Sequence, residues 1–341
     1  MIVIDGSRGE GGGQILRSSL ALSMVTGKPF RIEKIRAGRK TPGLLRQHLT
    51  SVRAAAAVSG ATVTGDELGS QRLEFTPGAI KAGAYHFAVG TAGSAMLVFQ
   101  TVFPALMLAD GPSEATFEGG THNPMAPPFE FLERTFLPLV ARIGAKASVE
   151  LTRPGFFPAG GGSFTARVEP FGKRKKPLEL DERGKIQHRN VTALISHLPD
   201  AVGKRELETV AKKLSWAEED FRIRRDDRSV GPGNALMIEV GSENVTEVFT
   251  GFGDRNVRSE AVAEAALAEA KAYLAAEVAV GEHLADQLLI PMALGAGGRF
   301  TTLPPSRHTE TNIETIRTFL DVDIQCEKVE GRVWRVTVTP R

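Results

Sequence analysis

The sequence predicts an α+β fold: three βαβαββ-type repeats, with a small α/β domain inserted before the last of them. Three observations carry this reading. Helical and strand periodicities alternate in one order three times along the 341 residues. Glycines Gly27, Gly60 and Gly144 follow helical runs, where C-terminal caps belong. Composition then shifts at the charged, turn-rich run "EPFGKRKKPLELDERGKIQ". The large domain is therefore expected over 1–183 and 278–341, with repeats at about 1–77, 85–170 and 281–340, and the insert over 184–277.

In the first repeat a glycine-rich opener, "GEGGGQ", precedes the helical "ILRSSLALSMVTG" and the strand-like "PFRIEKI". A polar loop "RAGRKTPG", the helix "LLRQHLTSVRAAAAVSG" and strands in "ATVTGD" and "QRLEFTPG" complete it. The second repeat opens on "VGTAGSA" and continues through the helix "MLVFQTVFPALMLADG", "EATFEGG" and the loop "THNPMAPP". It closes with the helix "FEFLERTFLPLVARIG" and strands in "AKASVEL" and "GSFTARVEP". The third reads "GEHLADQLLIPMALGAGG", "RFTTLP", the loop "PSRHTET", the helix "NIETIRTFL" and two strands, "VDIQCEKVEG" and "RVWRVTVTP". Such repeats pack helices on one face of each sheet, about a pseudo-threefold. The insert has its own pattern of strands ("NVTALISHL", "NALMIEVGS", "VTEVFTGFG"), the helix "GKRELETVAKKLSW" and a long alanine-rich helix opening at Ser259.

Composition narrows the function. Hydrophobic content of 42% and charged content of 24% are those of a globular chain. A formal net charge of +2 shows no overall basic bias, so any nucleic-acid site is local. "KRKK", Lys173–Lys176, reads as a solvated turn. Cys326 is the only cysteine, which excludes an internal disulfide framework and a multi-cysteine zinc site. No basic leader with a long apolar run opens the chain, and no apolar stretch is long enough to span a bilayer, so a cytoplasmic enzyme is expected.

If the repeats are related, their equivalent loops cluster. The first, "RAGRKTPGLLRQH", holds Arg36, Arg39, Lys40, Arg46, Gln47 and His48 around Pro42 and Gly43. Arginine forks match phosphate oxygens, and a helix N-terminus offers free N–H groups. "GEGGGQILR" does not fit a dinucleotide-binding fingerprint, because a partner strand and ribose-binding acid are wanting. It does present Glu10 as a magnesium ligand or a helix N-terminal charge, with Arg17 one turn into the helix. "GFFPAGGGSF" is either a hairpin or a close backbone approach to a ligand. His308 lies in a loop before a helix. No HxxxH or Cys/His set makes it a zinc ligand and no GxSxG makes it part of a serine triad, which leaves general base or phosphorus-attacking nucleophile.

The runs "DGSRGEGGGQILRSSLALS", "IRAGRKTPGLLRQHLTSV", "FPAGGG", "EHLADQLLIPMAL" and "HTETNI" resemble, in order and over essentially the whole chain, the RNA 3′-terminal phosphate cyclase family. The resemblance implies a large domain akin to enolpyruvyl transferases. It also implies a reaction in which ATP and a divalent metal, magnesium or manganese, convert an RNA 3′-phosphate end to a 2′,3′-cyclic phosphodiester. His308 matches the histidine that becomes covalently adenylylated. Gln100, Pro127 and the run His283, Leu284, Ala285, Asp286 and Gln287 match nucleotide contacts, His283 and Pro127 on opposite faces of the adenine. Glu10 matches an acid near the metal and phosphates, and Arg17, Arg36, Arg39 and Gln47 match positions that hold the RNA phosphate. Pro154 stands where a basic residue is expected, with Arg153 one position earlier. Members lacking the histidine are ribosome-assembly factors, the alternative reading; this chain keeps it.

Overall fold

The helices of the large core pack on one another, and the sheets flank them. This computed structural model describes residues 1–172 and 175–341, so the Lys173 and Arg174 portion of "KRKK" lies outside the described residues. The first sheet takes β1 (Ile2–Asp5), β2 (Phe30–Glu33), β3 (Thr62–Thr64) and β4 (Leu73–Thr76), with α1 (Gln14–Thr26) and α2 (Arg46–Ser59) between. The second takes β5 (Ala84–Ala88), β6 (Ser113–Gly119), β7 (Lys146–Arg153) and β8 (Gly162–Glu169). Its helices are α3 (Ala95–Leu106) and α4, which is Phe129–Phe131 and Leu137–Arg142 joined by a π-helical turn at Leu132–Phe136. Strand order is β1-β2-β4-β3 in the first and β5-β6-β8-β7 in the second, the first pair parallel and the rest antiparallel.

The next strand, β9 (Leu178–Leu180), lies in the segment read as a charged boundary. Beyond it come β10 (Ile186–Ser196), α5 (Asp200–Ala211), β11 (Phe221–Arg225), β12 (Gly233–Ser242), β13 (Thr246–Phe252) and α6 (Ser259–Ala276). The chain ends with α7 (Glu282–Leu294), β14 (Gly298–Thr302), α8 (Arg307–Phe319), β15 (Val322–Glu330) and β16 (Val333–Pro340). β9 pairs in parallel with β14, completing a sheet of order β15-β16-β14-β9. The third sheet thus draws its first strand from upstream of residues 184–277, whereas the sequence pattern begins this repeat at Gly281. Three residues among charges carry too little alternation to be read as a strand, although Leu178 and Leu180 are both buried. β11, "FRIRR", is charged and was not expected either; it pairs in parallel with β10 in the sheet β11-β10-β12-β13.

Local chemistry accounts for the helix ends. Gly27 and Gly60 close α1 and α2 in the left-handed conformation, at φ 69° and 59°, where a side chain would be strained. Ser94 and Ser306 cap α3 and α8 by accepting the N–H groups of Leu97 and Thr309, both at 3.3 Å. α1 packs against α2, α3 and α8, and the sheets' inner faces bury Phe30, Phe75, Phe117, Phe164 and Phe300 in one continuous core. Residues of β10, β12, β13 and α6 form a separate apolar cluster around Tyr273. It is tied to the core by Arg134 to Glu239 at 2.7 Å, by the Arg224–Glu130 pair, and by the Gly281 N–H donating to Glu247 at 2.5 Å. Among the described residues no helix is long and apolar enough to cross a membrane.

Candidate active site

Because the helices meet in the centre, the N-terminal ends of α1, α2, α7 and α8 open on one cavity of about 610 Å3. Each contributes side chains from its first turn or two: Gln14 and Arg17, Gln47 and His48, His283 and Asp286, and His308. Four positive dipole ends and their free N–H groups make this an environment for anions.

His308 is the second residue of α8, and its Nδ1 lies 2.7 Å from Gln14 Oε1. The same amide donates from Nε2 to Asp286 Oδ2 at 2.5 Å. When ionised, the Asp286 carboxylate only accepts, so it turns the NH2 of Gln14 toward itself and the carbonyl toward His308. Nδ1 must then donate, and the proton sits there. Nε2 is left with its lone pair and no partner among the described residues. Burial holds the His308 pKa below that of an ordinary histidine, Glu10 opposing and Arg17, His283 and Arg39 adding to the depression. The ring is therefore neutral near pH 7 and nucleophilic at Nε2. Asp286 is itself pushed up to about 7 by burial, against the pull of His283, Arg17 and Gln14. Asn312 Nδ2 donates to the Asp286 carbonyl at 2.8 Å and its Oδ1 accepts from Ser18 at 2.8 Å, which braces α7, α8 and α1 together.

Beside His308 lies the basic side of the cavity. The Arg17 guanidinium makes no hydrogen bond or ion pair among the described residues; burial lowers its pKa to about 10, so it remains charged. Arg39 pairs with the Glu10 carboxylate and donates to the Glu10 carbonyl at 2.9 Å. Arg36 braces its loop by donating to Thr41 O and Gly43 O at 2.6 and 2.9 Å, and Gln47 accepts the Ser94 N–H at 2.9 Å. All four residues expected at a phosphate line the cavity.

The other side is apolar and reaches residues 184–277. Pro127, Phe131, Val248, Phe252 and Ile290 wall it, with Gln100 hydrogen-bonded to Gln287. His283 stands at this end, its pKa raised to about 9 by a hydrogen bond to Glu269 of α6. Leu284 and Ala285, also expected at the nucleotide, do not line the cavity: they are 0% and 2% exposed and pack in the core. The helical period explains this. With His283, Asp286, Gln287 and Ile290 facing the cavity, positions 284 and 285 fall on the opposite face.

Glu10 lines the cavity, and its carboxylate also accepts the Gln14 N–H at 3.3 Å. No group of three or more His, Cys, Asp or Glu that could hold a metal ion occurs among the described residues. A single carboxylate fits a magnesium ion held chiefly by substrate phosphates and water, not one caged by protein. The "FPAGGG" run lies outside the cavity lining; Gly161 closes against Val230, and Phe156 against Gly233. Of the two readings left open for it, the structure favours the hairpin: the run joins β7 to its antiparallel partner β8.

Sequence reasoning missed Gln14, Ser18, Asn312 and the wall supplied by residues 248–269. A signal existed for the first two. Gln14, Arg17 and Ser18 form a polar stripe at helical spacing on an otherwise apolar helix, which marks a face turned to something other than core.

Comparison with known proteins identifies the family. A family model described as RNA 3′-terminal phosphate cyclase matches residues 8–326. A protein of Koribacter versatilis (strain Ellin345) named RNA 3′-terminal phosphate cyclase is 56% identical over 331 residues, 97% of this chain and 93% of its own. Proteins of the same name from Ectopseudomonas mendocina (strain ymp) and Ralstonia nicotianae (strain ATCC BAA-1114 / GMI1000) are 52% and 51% identical, covering 98% and 99% of this chain and 97% of each relative. The chain belongs to the RNA 3′-terminal phosphate cyclase family.

Proposed function

We propose that this protein uses ATP to convert an RNA 3′-phosphate end to a 2′,3′-cyclic phosphodiester. His308 Nε2 attacks the α-phosphorus of ATP, the bond to the β-phosphate oxygen breaks, and diphosphate leaves. The resulting phosphoramidate passes AMP to the RNA 3′-phosphate, giving RNA(3′)pp(5′)A and restoring His308. The vicinal 2′-oxygen, losing its proton, then attacks the 3′-phosphorus, and AMP departs as the ring closes. The adenylate serves as leaving group, because a bare phosphate oxyanion is too poor an electrophile to cyclise.

One observation carries this reading: a histidine on the cavity wall whose Nδ1 is held by Gln14 and whose Nε2 has no partner among the described residues, in a cavity also lined by the Arg17 guanidinium. Adenine is assigned to the apolar end between His283 and Pro127, with Asp286, Gln100 and Gln287 toward the ribose. Arg17, Arg36, Arg39 and Gln47 are assigned to the RNA phosphate. Glu10 would hold the divalent metal, which when bound neutralises phosphate charge. Residues 184–277 act as an inserted domain that closes the nucleotide end. Incubation with ATP labelled in the α-phosphate should yield a covalent, acid-labile label that His308→Ala abolishes while the fold survives. A folded wild-type protein that takes no label would favour the non-catalytic assembly-factor reading.

A further inference from the structure

His48 is a polar residue of the cavity wall to which no role has been assigned above. It is only 3% exposed and lies in the first turn of α2, with Nδ1 accepting the Leu45 N–H at 3.2 Å. A ring nitrogen that accepts a hydrogen bond carries no proton, so the neutral imidazole bears its hydrogen on Nε2. Burial, with Arg17 and Arg36 adding, pushes the pKa down to about 3 and keeps the ring neutral. Nε2 has no acceptor among the described residues, and His48 lines the cavity.

Gly13 shows how closely His48 and Arg17 approach one another. A Cβ placed on this residue would fall 2.3 Å from His48 Nε2 and 2.6 Å from Arg17 Nη1. The two donors therefore converge on the space above the first turn of α1. Gly13 is also the N-cap of α1 and supplies no side chain to bond the helix N–H groups. The His48 Nε2–H and the Arg17 guanidinium, neither with a partner among the described residues, thus sit side by side against Gly13 on the cavity wall, where any larger residue would displace them.

We propose that His48 is a phosphate-specificity residue, its Nε2–H donating to an oxygen of the RNA 3′-terminal phosphate held by Arg17. This rests on the assignment of Arg17 to that phosphate. An uncharged donor adds a directional bond without adding to the positive charge already present from Arg17, Arg36 and Arg39. It tightens binding of a phosphate end without strengthening general attraction for the RNA backbone.

Two isosteric variants separate this role from helix capping. Asn at 48 can keep an acceptor where Nδ1 stands but offers nothing at Nε2; Gln can place an N–H near Nε2. Affinities for one oligoribonucleotide with a 3′-phosphate or a 3′-hydroxyl end are measured without ATP. His48→Asn should weaken binding of the phosphate end about tenfold or more, as expected for loss of a hydrogen bond to a charged group, and leave the hydroxyl end unchanged. His48→Gln should retain most of the discrimination. Wild-type discrimination in His48→Asn, or equal loss in both variants, would overturn the proposal in favour of a capping role alone. A wild-type protein that binds both ends alike would overturn the Arg17 assignment together with it.

Discussion

Replacing Gln14 with leucine tests how the nucleophile is prepared. The amide links His308 Nδ1 at 2.7 Å to Asp286 Oδ2 at 2.5 Å and so selects the tautomer with a lone pair on Nε2. Gln14→Leu leaves a side chain of similar size and removes both bonds. The lost bias is that of one hydrogen bond in a partly buried site, about 1–2 kcal/mol. At 1.36 kcal/mol per tenfold, self-adenylylation should slow roughly five- to thirtyfold in single-turnover labelling with ATP. Gln14→Glu keeps an acceptor at Nδ1 but adds negative charge, which raises the ring pKa; its rate should be low at neutral pH and recover as pH rises. The wild-type acid limb follows from the two shifts. His308 is held below the ordinary histidine value, whereas Asp286 takes up a proton near pH 7 and then can donate to Gln14, freeing the amide to turn over. That limb should therefore track Asp286 and flatten in Asp286→Asn. Wild-type labelling rates in a folded Gln14→Leu protein would refute the argument.

Two further outcomes are expected. Glu10→Gln should raise the magnesium concentration needed for half-maximal self-labelling, and an unchanged titration midpoint would remove Glu10 from the metal. In the inserted segment, Glu206 is fully buried against Asn234, and burial raises its pKa from 4.5 to about 7. The folded state then holds this proton more tightly than the unfolded chain, so stability is full below about pH 4.5, falls as pH rises to about 7, and levels off. The total is on the order of 3 kcal/mol, from 1.36 kcal/mol per pKa unit. Denaturant unfolding across that range should show the decline, and Glu206→Gln should remove most of it.

The histidine, the arginine-rich loop and the glycine-rich opener were legible in the chain because each is a local cluster of chemistry. Short-range pattern likewise exposed most helices and the alternation of the longer strands. It could not expose β9, whose three residues gain meaning only from pairing with β14, more than a hundred positions on. Nor did the "HLADQ" run disclose that Leu284 and Ala285 turn inward, since that depends on which face of α7 meets the core.

The sequence alone determined the kind of protein and singled out His308 as the candidate nucleophile, since residue type and spacing are local properties. Only tertiary structure decided which nitrogen of His308 is free and which donors converge over Gly13. His308 and Gln14 are 294 positions apart, and Gln14 and Asp286 are 272 apart. A proton's place on an imidazole is fixed by the group across from it, and packing brings that group there.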